Sequence, residues 1–143
     1  MKIVISESQY NKLIESEEEQ KVLRIPSLKI FDDNWFVLQK FLELKGNPTY
    51  SVGGDLDLQG TPIKSLGNLQ FVGGYLSLQD TSIESLGNLK SVGGYLNLAY
   101  TSIESLGNLQ YVGGDLSLHG TPLSIYTREQ IREMINVEGR IYK

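Results

Sequence analysis

Residues 51–70 read SVGGDLDLQGTPIKSLGNLQ, and nearly the same words return at 71–90, FVGGYLSLQDTSIESLGNLK, at 91–110, SVGGYLNLAYTSIESLGNLQ, and at 111–124, YVGGDLSLHGTPLS. A twenty-residue period without insertions predicts a stacked repeat fold, because each unit has one apolar side that only its neighbours cover. Six positions are identical in all four copies: Val72, Gly73, Gly74, Leu76, Leu78 and Thr81 of the second copy and their equivalents. Tyr75 to Leu78 alternates, so Leu76 and Leu78 point one way and Tyr75 and Ser77 the other. This predicts one strand per repeat, stacked in parallel. Leu56, Leu58, Ile63, Leu66, Leu69 and their equivalents are then interior columns. The glycine pair precedes a strand rather than a helix, which suits a tight turn or a positive φ and not a phosphate cradle.

Flanking segments divide the chain into 1–20, 21–50, the repeats at 51–123, and 124–143. In the first, Lys2 to Ile5 is apolar, Ser6 and Gln9 form a capping-box pair, and a short helix is expected over roughly Glu7 to Glu15, with Tyr10, Leu13 and Ile14 on one side. The acidic run from Glu15 to Glu19 follows and reads as solvated linker. In the second, Pro26 argues for an edge strand or extended connector. Asp32 or Asp33 then caps an apolar helix containing Trp35, Phe36, Leu38, Phe41, Leu42 and Leu44, ended by Gly46. This helix is expected to cover the first repeat. After Leu123 the chain leaves the repeat. Thr127 and Gln130 form a second capping box, Ile131, Met134 and Ile135 supply an apolar face, and Gly139 interrupts a short strand ending in Ile141. Two helical caps protect ends that would otherwise expose backbone and apolar side chains.

The segment LSLQDTSI, with Leu76, Leu78, Thr81 and Ile83, resembles the leucine-rich repeat signature, as do its copies at Leu56, Leu58, Thr61 and Ile63 and at Leu96, Leu98, Thr101 and Ile103. The period matches the shortest repeats of that family, found in bacterial effectors, and the variant with two glycines looks like repeats of phage and bacterial proteins. Threonine stands where the family has asparagine, so a shorter hydroxyl must satisfy the turn backbone. Gly73 and its equivalents stand where the family has leucine. The expected fold is an α/β repeat solenoid, a leucine-rich-repeat-like parallel strand stack with helical caps at both ends, with a parallel β-helix as the alternative. What the family implies is protein recognition on the strand face, without catalysis.

Copies two and three differ at five of twenty positions: Phe71/Ser91, Ser77/Asn97, Gln79/Ala99, Asp80/Tyr100 and Lys90/Gln110. Three of the five lie on or beside the outward strand face, as expected of a constant frame carrying an adjustable surface. That face is written in columns: Asp55, Tyr75, Tyr95, Asp115; Asp57, Ser77, Asn97, Ser117; Gln59, Gln79, Ala99, His119; and, at its margin, Gly60, Asp80, Tyr100, Gly120. Tyrosine combines large contact area with a hydroxyl, so Tyr75, Tyr95 and Tyr100 are the expected hot spots. Asp55, Asp57, Asp115, Ser77, Asn97, Gln79 and His119 complete the expected partner-binding set, and the carboxylates favour a partner with a basic surface.

Chemistry is not suggested. The sequence has no cysteine and a single histidine, so Cys/His metal sites and Cys/His nucleophiles are excluded. Ser117 and Asp115 lie along one strand from His119, too far apart for a triad. Asp55 and Asp57 share a face but lack a calcium-loop motif. No cofactor, metal or catalytic residue is expected. The net charge of −4 gives no footprint for nucleic acid, and no apolar run predicts a membrane span.

The expectation is a non-enzymatic protein-protein interaction module, an inhibitor or effector, in the cytoplasm, or in the host cytoplasm or virion if phage-encoded. A second expectation is a phage structural or head-associated protein forming a homo-oligomer through its N-terminal segment. ISESQYNKLIE resembles leader segments of some phage proteins, and Leu13, Ile14 and Glu15 match an L-x-E type of cleavage motif. Glycan binding by the tyrosines is a third.

Overall fold

The computed structural model describes residues 22–143. The N-terminal strand, helix, acidic linker and L-x-E motif expected from the sequence lie outside the described residues. The described chain is an α/β stack of parallel strands in two sheets, an arrangement compatible with a solenoid.

Each repeat contributes two strands, not the one expected. Strands β2 (Tyr50–Val52), β4 (Leu69–Val72), β6 (Ser91–Val92) and β8 (Tyr111–Val112) lie ahead of the glycine pairs. Strands β3 (Leu56–Asp57), β5 (Leu76–Ser77), β7 (Leu96–Asn97) and β9 (Leu116–Ser117) lie after them. With β1 (Leu23–Ile25) and β10 (Asn136–Val137), the first set forms a six-stranded sheet ordered β1-β2-β4-β6-β8-β10; with β11 (Ile141–Tyr142), the second forms a five-stranded sheet ordered β11-β9-β7-β5-β3. All pairings are parallel, and like pairs with like: Val52, Val72, Val92 and Val112 in the first sheet, and Leu56, Leu76, Leu96 and Leu116 in the second. The strands before the glycines are two to four residues long, too short for alternation to reveal them.

The glycine pairs form the corner between the sheets, and their requirement is space, not a positive φ. A Cβ on Gly73 would collide with the Gly53 carbonyl, one on Gly93 with that of Gly73, and one on Gly113 with that of Gly93. After the second strand the threonines act as expected. The hydroxyls of Thr61, Thr81, Thr101 and Thr121 donate to the carbonyls of Leu58, Leu78, Leu98 and Leu118 at 2.7, 2.7, 2.8 and 2.7 Å.

The core is the column set anticipated from the repeat. Leu56, Leu58, Ile63, Leu66 and Leu69 and their counterparts are buried, joined by the valines of the first sheet. Each buried aliphatic side chain contributes about 1.5–3 kcal/mol of transfer free energy.

At the N-terminal end, β1 leads into a 3-10 turn, Leu28–Phe31, and helix α1, Trp35–Leu44. Asp32 and Asp33 do not cap α1. Both adopt left-handed conformations that turn the chain, and Asn34 is the cap, its Oδ1 accepting from the N–H groups of Phe36 and Val37 at 3.0 and 3.2 Å. Helix α1 buries Trp35, Leu38 and Leu42 against the first repeat but leaves Phe36, Val37 and Leu44 exposed.

At the C-terminal end, helix α2 (Arg128–Met134) starts with the expected Thr127–Gln130 capping box. Ile131 and Ile135 are buried, whereas Met134 is exposed and not part of the apolar face. Beyond α2 the chain rejoins the stack rather than leaving it. Val137 pairs with Val112 and Ile141 with Leu116, so Asn136 to Tyr142 is a degenerate further turn.

Candidate functional site

The ten residues expected on the strand face do not all project freely from it. Some are structural. Asp55 Oδ1 accepts the Tyr75 N–H at 2.9 Å and Asp115 Oδ1 accepts the Arg140 N–H at 2.8 Å, so these carboxylates cap the corner backbone at the two ends of the stack. Ser77 and Ser117 are buried, contrary to expectation. Their short side chains do not stand clear of their strand neighbours, and among the described residues the Ser77 hydroxyl has no hydrogen-bond partner.

The exposed and half-buried residues, with Asp55 again among them, fall in two groups along the stack. In the first, Asp57, Asp55 and Tyr75 border a cleft of about 420 Å³ completed by Ser27, Leu28, Lys29, Asp33 and Gly54. Desolvation, and after it the charges of Asp57 and Asp55, raise the Tyr75 phenol above its ordinary range. It therefore remains a neutral donor and acceptor throughout the physiological range. The cleft's Lys29 and Asp33 were not expected from the sequence, since nothing in the capping segment announces that it folds against the first repeat's strand.

The second group lies over repeats two to four. Asn97 Nδ2 donates to Gln79 Oε1 at 2.8 Å, and Asn97 Oδ1 accepts the Ala99 N–H at 3.0 Å, so these side chains are held in fixed orientations. Tyr95 is exposed two residues ahead of Asn97, with buried Leu96 between them. Tyr100 is 52 % exposed and has φ 57°. A left-handed backbone costs an ordinary residue roughly 1–2 kcal/mol and is an outlier for a bulky one. Glycine occupies the same left-handed position in the first and last copies, as Gly60 and Gly120, and aspartate does so in the second, as Asp80.

The Tyr100 ring meets His119 edge-to-face, centroids 5.3 Å apart at 89°. Gly120 makes room for it, because a Cβ there would lie 2.6 Å from the Tyr100 ring. His119 Nδ1 is 3.2 Å from the Lys143 carbonyl. Since a carbonyl only accepts, this bond needs the proton on Nδ1, which leaves Nε2 of the neutral ring as an acceptor. The structure thus pairs Tyr100 with His119 and Asn97 with Gln79, two direct contacts that hold these side chains in place.

Sequence reasoning also missed an apolar groove of about 490 Å³ on α1, lined by Phe31, Phe36, Val37, Phe41 and Leu44 with Asn34 and Lys40. The available signal was that α1 has more apolar residues than one buried stripe uses. Among the described residues, no group of three or more histidines, cysteines or carboxylates is placed to hold a metal ion, and no helix is long and apolar enough to cross a membrane. No protein-family model, curated protein or solved structure matches the chain.

Proposed function

We propose that the protein is a non-enzymatic protein-protein interaction module, an inhibitor or effector, that engages its partner through the face centred on Tyr95, Tyr100, Asn97, Gln79 and His119. The observation that carries this reading is the left-handed Tyr100. An exposed aromatic side chain is kept at a strained position that glycine fills elsewhere, and such strain concentrates where a side chain must be presented. Tyrosine and histidine offer apolar area and hydrogen-bonding atoms together, the combination that marks hot spots. The L-x-L strands and threonine turns support placing the stack among leucine-rich-repeat-like proteins, while its second sheet is a feature shared with parallel β-helices.

A photoreactive phenylalanine analogue at position 100 is expected to cross-link one discrete protein in extracts of the source cells, and the same analogue at exposed Glu84 is not. Tyr100→Gly, compatible with the backbone, is expected to abolish capture without loss of fold. Identical products from both positions, or none from position 100, would refute the proposal.

A further inference from the structure

The two sheets are unequal at the N-terminal end. The first sheet begins with β1, but the second begins a turn later with β3, and among the described residues no strand lies beyond it. The reason is local. Ile25 pairs with Val52, so Pro26 and Ser27 follow where the later turns have their glycine pair, and the chain then enters the 3-10 turn Leu28–Phe31 instead of a strand of the second sheet.

Among the described residues the outer side of β3 is consequently open. The N–H groups of Leu56 and Leu58 donate inward, to the Tyr75 and Ser77 carbonyls, at 2.8 and 2.9 Å. Alternate residues of a parallel strand face opposite neighbours, so the N–H and C=O of Asp57 face outward. Among the described residues neither has a hydrogen-bond partner. The opposite end is treated differently. There the outward carbonyls of Val137, Gly139 and Ile141 accept from Arg132 Nη1, Arg132 Nη2 and Arg128 Nε at 2.7, 2.8 and 2.8 Å.

An edge left open beside a cleft of about 420 Å³ has the size of a ligand site. Its charge selects the occupant. Asp33, Asp55 and Asp57 border the cleft against the single cation Lys29, a balance that favours basic side chains. We propose that the edge of β3 is a second docking site, at which an extended, basic segment of a partner protein adds a strand to the five-stranded sheet. Main-chain bonds to Asp57 supply affinity and the carboxylates select lysine or arginine, as in strand addition to other open sheet edges. The site stands independently of the Tyr100 face.

The test uses the full chain and a fluorescent peptide, Arg-Val-Arg-Val-Arg, followed by anisotropy and by hydrogen exchange at the Asp57 amide. Binding is expected to weaken with salt and to slow that exchange. N-methylation of alternate peptide nitrogens is expected to weaken binding at least about tenfold, the worth of one or two main-chain hydrogen bonds. Asp57→Lys, an exposed substitution, should do the same, whereas Tyr100→Gly should leave binding unchanged. The proposal is overturned if the N-methylated peptide binds equally well, if Glu-Val-Glu-Val-Glu binds as tightly, or if no peptide binds at millimolar concentration. It is also overturned if the Asp57 amide is already protected in the free chain. Loss of that protection on removing residues 1–21 would assign the edge to the chain's own N-terminus, and loss on dilution to a second copy.

Discussion

The two ends of the stack use different devices for the same task. At the C-terminal end, α2 is short and buries few side chains, but it carries Arg128 and Arg132, which satisfy the outward carbonyls of the last turn. Closure there is by hydrogen bonding. At the N-terminal end, α1 covers the core with Trp35, Leu38 and Leu42 and supplies no donor to the edge of the second sheet. Closure there is by apolar burial, which among the described residues leaves backbone open on one side and Phe36, Val37 and Leu44 exposed on the other. Packing covers the interior of a repeat stack without satisfying its edges, and the two requirements are separable.

Four substitutions test that contrast, beginning with the largest effect. Trp35 is 4 % exposed, and Trp35→Ala is expected to destabilise the protein by about 3–5 kcal/mol. Urea unfolding checks this; a loss below 1 kcal/mol would mean that α1 is not the N-terminal closure. Arg132→Ala removes two charge-assisted bonds at a partly exposed site, for an expected loss of about 1–2 kcal/mol after allowance for solvent. Hydrogen exchange should show the loss concentrated at β10 and β11.

Tyr50 comes next. Its buried hydroxyl donates to the Leu66 carbonyl at 2.7 Å and accepts from Gln39 Nε2 at 3.1 Å, linking α1 to the first repeat. Tyr50→Phe is expected to cost about 1 kcal/mol near neutral pH. Burial raises the phenol far above its ordinary value of 10.0, against a smaller opposing effect of the Gln39 bond. A folded pKa above the unfolded one contributes stability fully present below pH 10 and lost progressively above it. Thermal melts from pH 9 to 11 should therefore show a smaller alkaline decline in Tyr50→Phe. The smallest effect belongs to the body of the stack, away from both ends. Tyr100→Gly relieves a left-handed aromatic residue but loses its contact with His119 and adds chain entropy, so calorimetry should show a change within about 1 kcal/mol of zero.

Much of the frame was legible because the repeat prints it four times. The leucine columns, the threonine turns, the Thr127–Gln130 box and the apolar role of Trp35 all follow from residue type and spacing. The six-stranded sheet was hidden because its strands are two to four residues long and those of the repeats lie just ahead of the glycine pairs. The last turn was hidden because Asn136 to Tyr142 keeps only Val137, Gly139 and Ile141 of the pattern. The face was half legible. Tyr95, Tyr100 and His119 are exposed as expected, but Asp55 and Asp115 bond the corner backbone and Ser77 and Ser117 are buried. Alternation tells which way a side chain points, not whether its neighbours overtop it.

By itself the sequence determined that the chain stacks, which residues fill the columns, and where the copies diverge, because periodicity reports directly on which side chains must meet. Only the tertiary structure decided that the glycine pairs are corners with no room for a Cβ, that Tyr100 is left-handed and braced by His119, and that one sheet starts a turn later than the other. Each of these depends on atoms about one repeat or more apart in the chain, whose separation is set by how successive turns lie on one another.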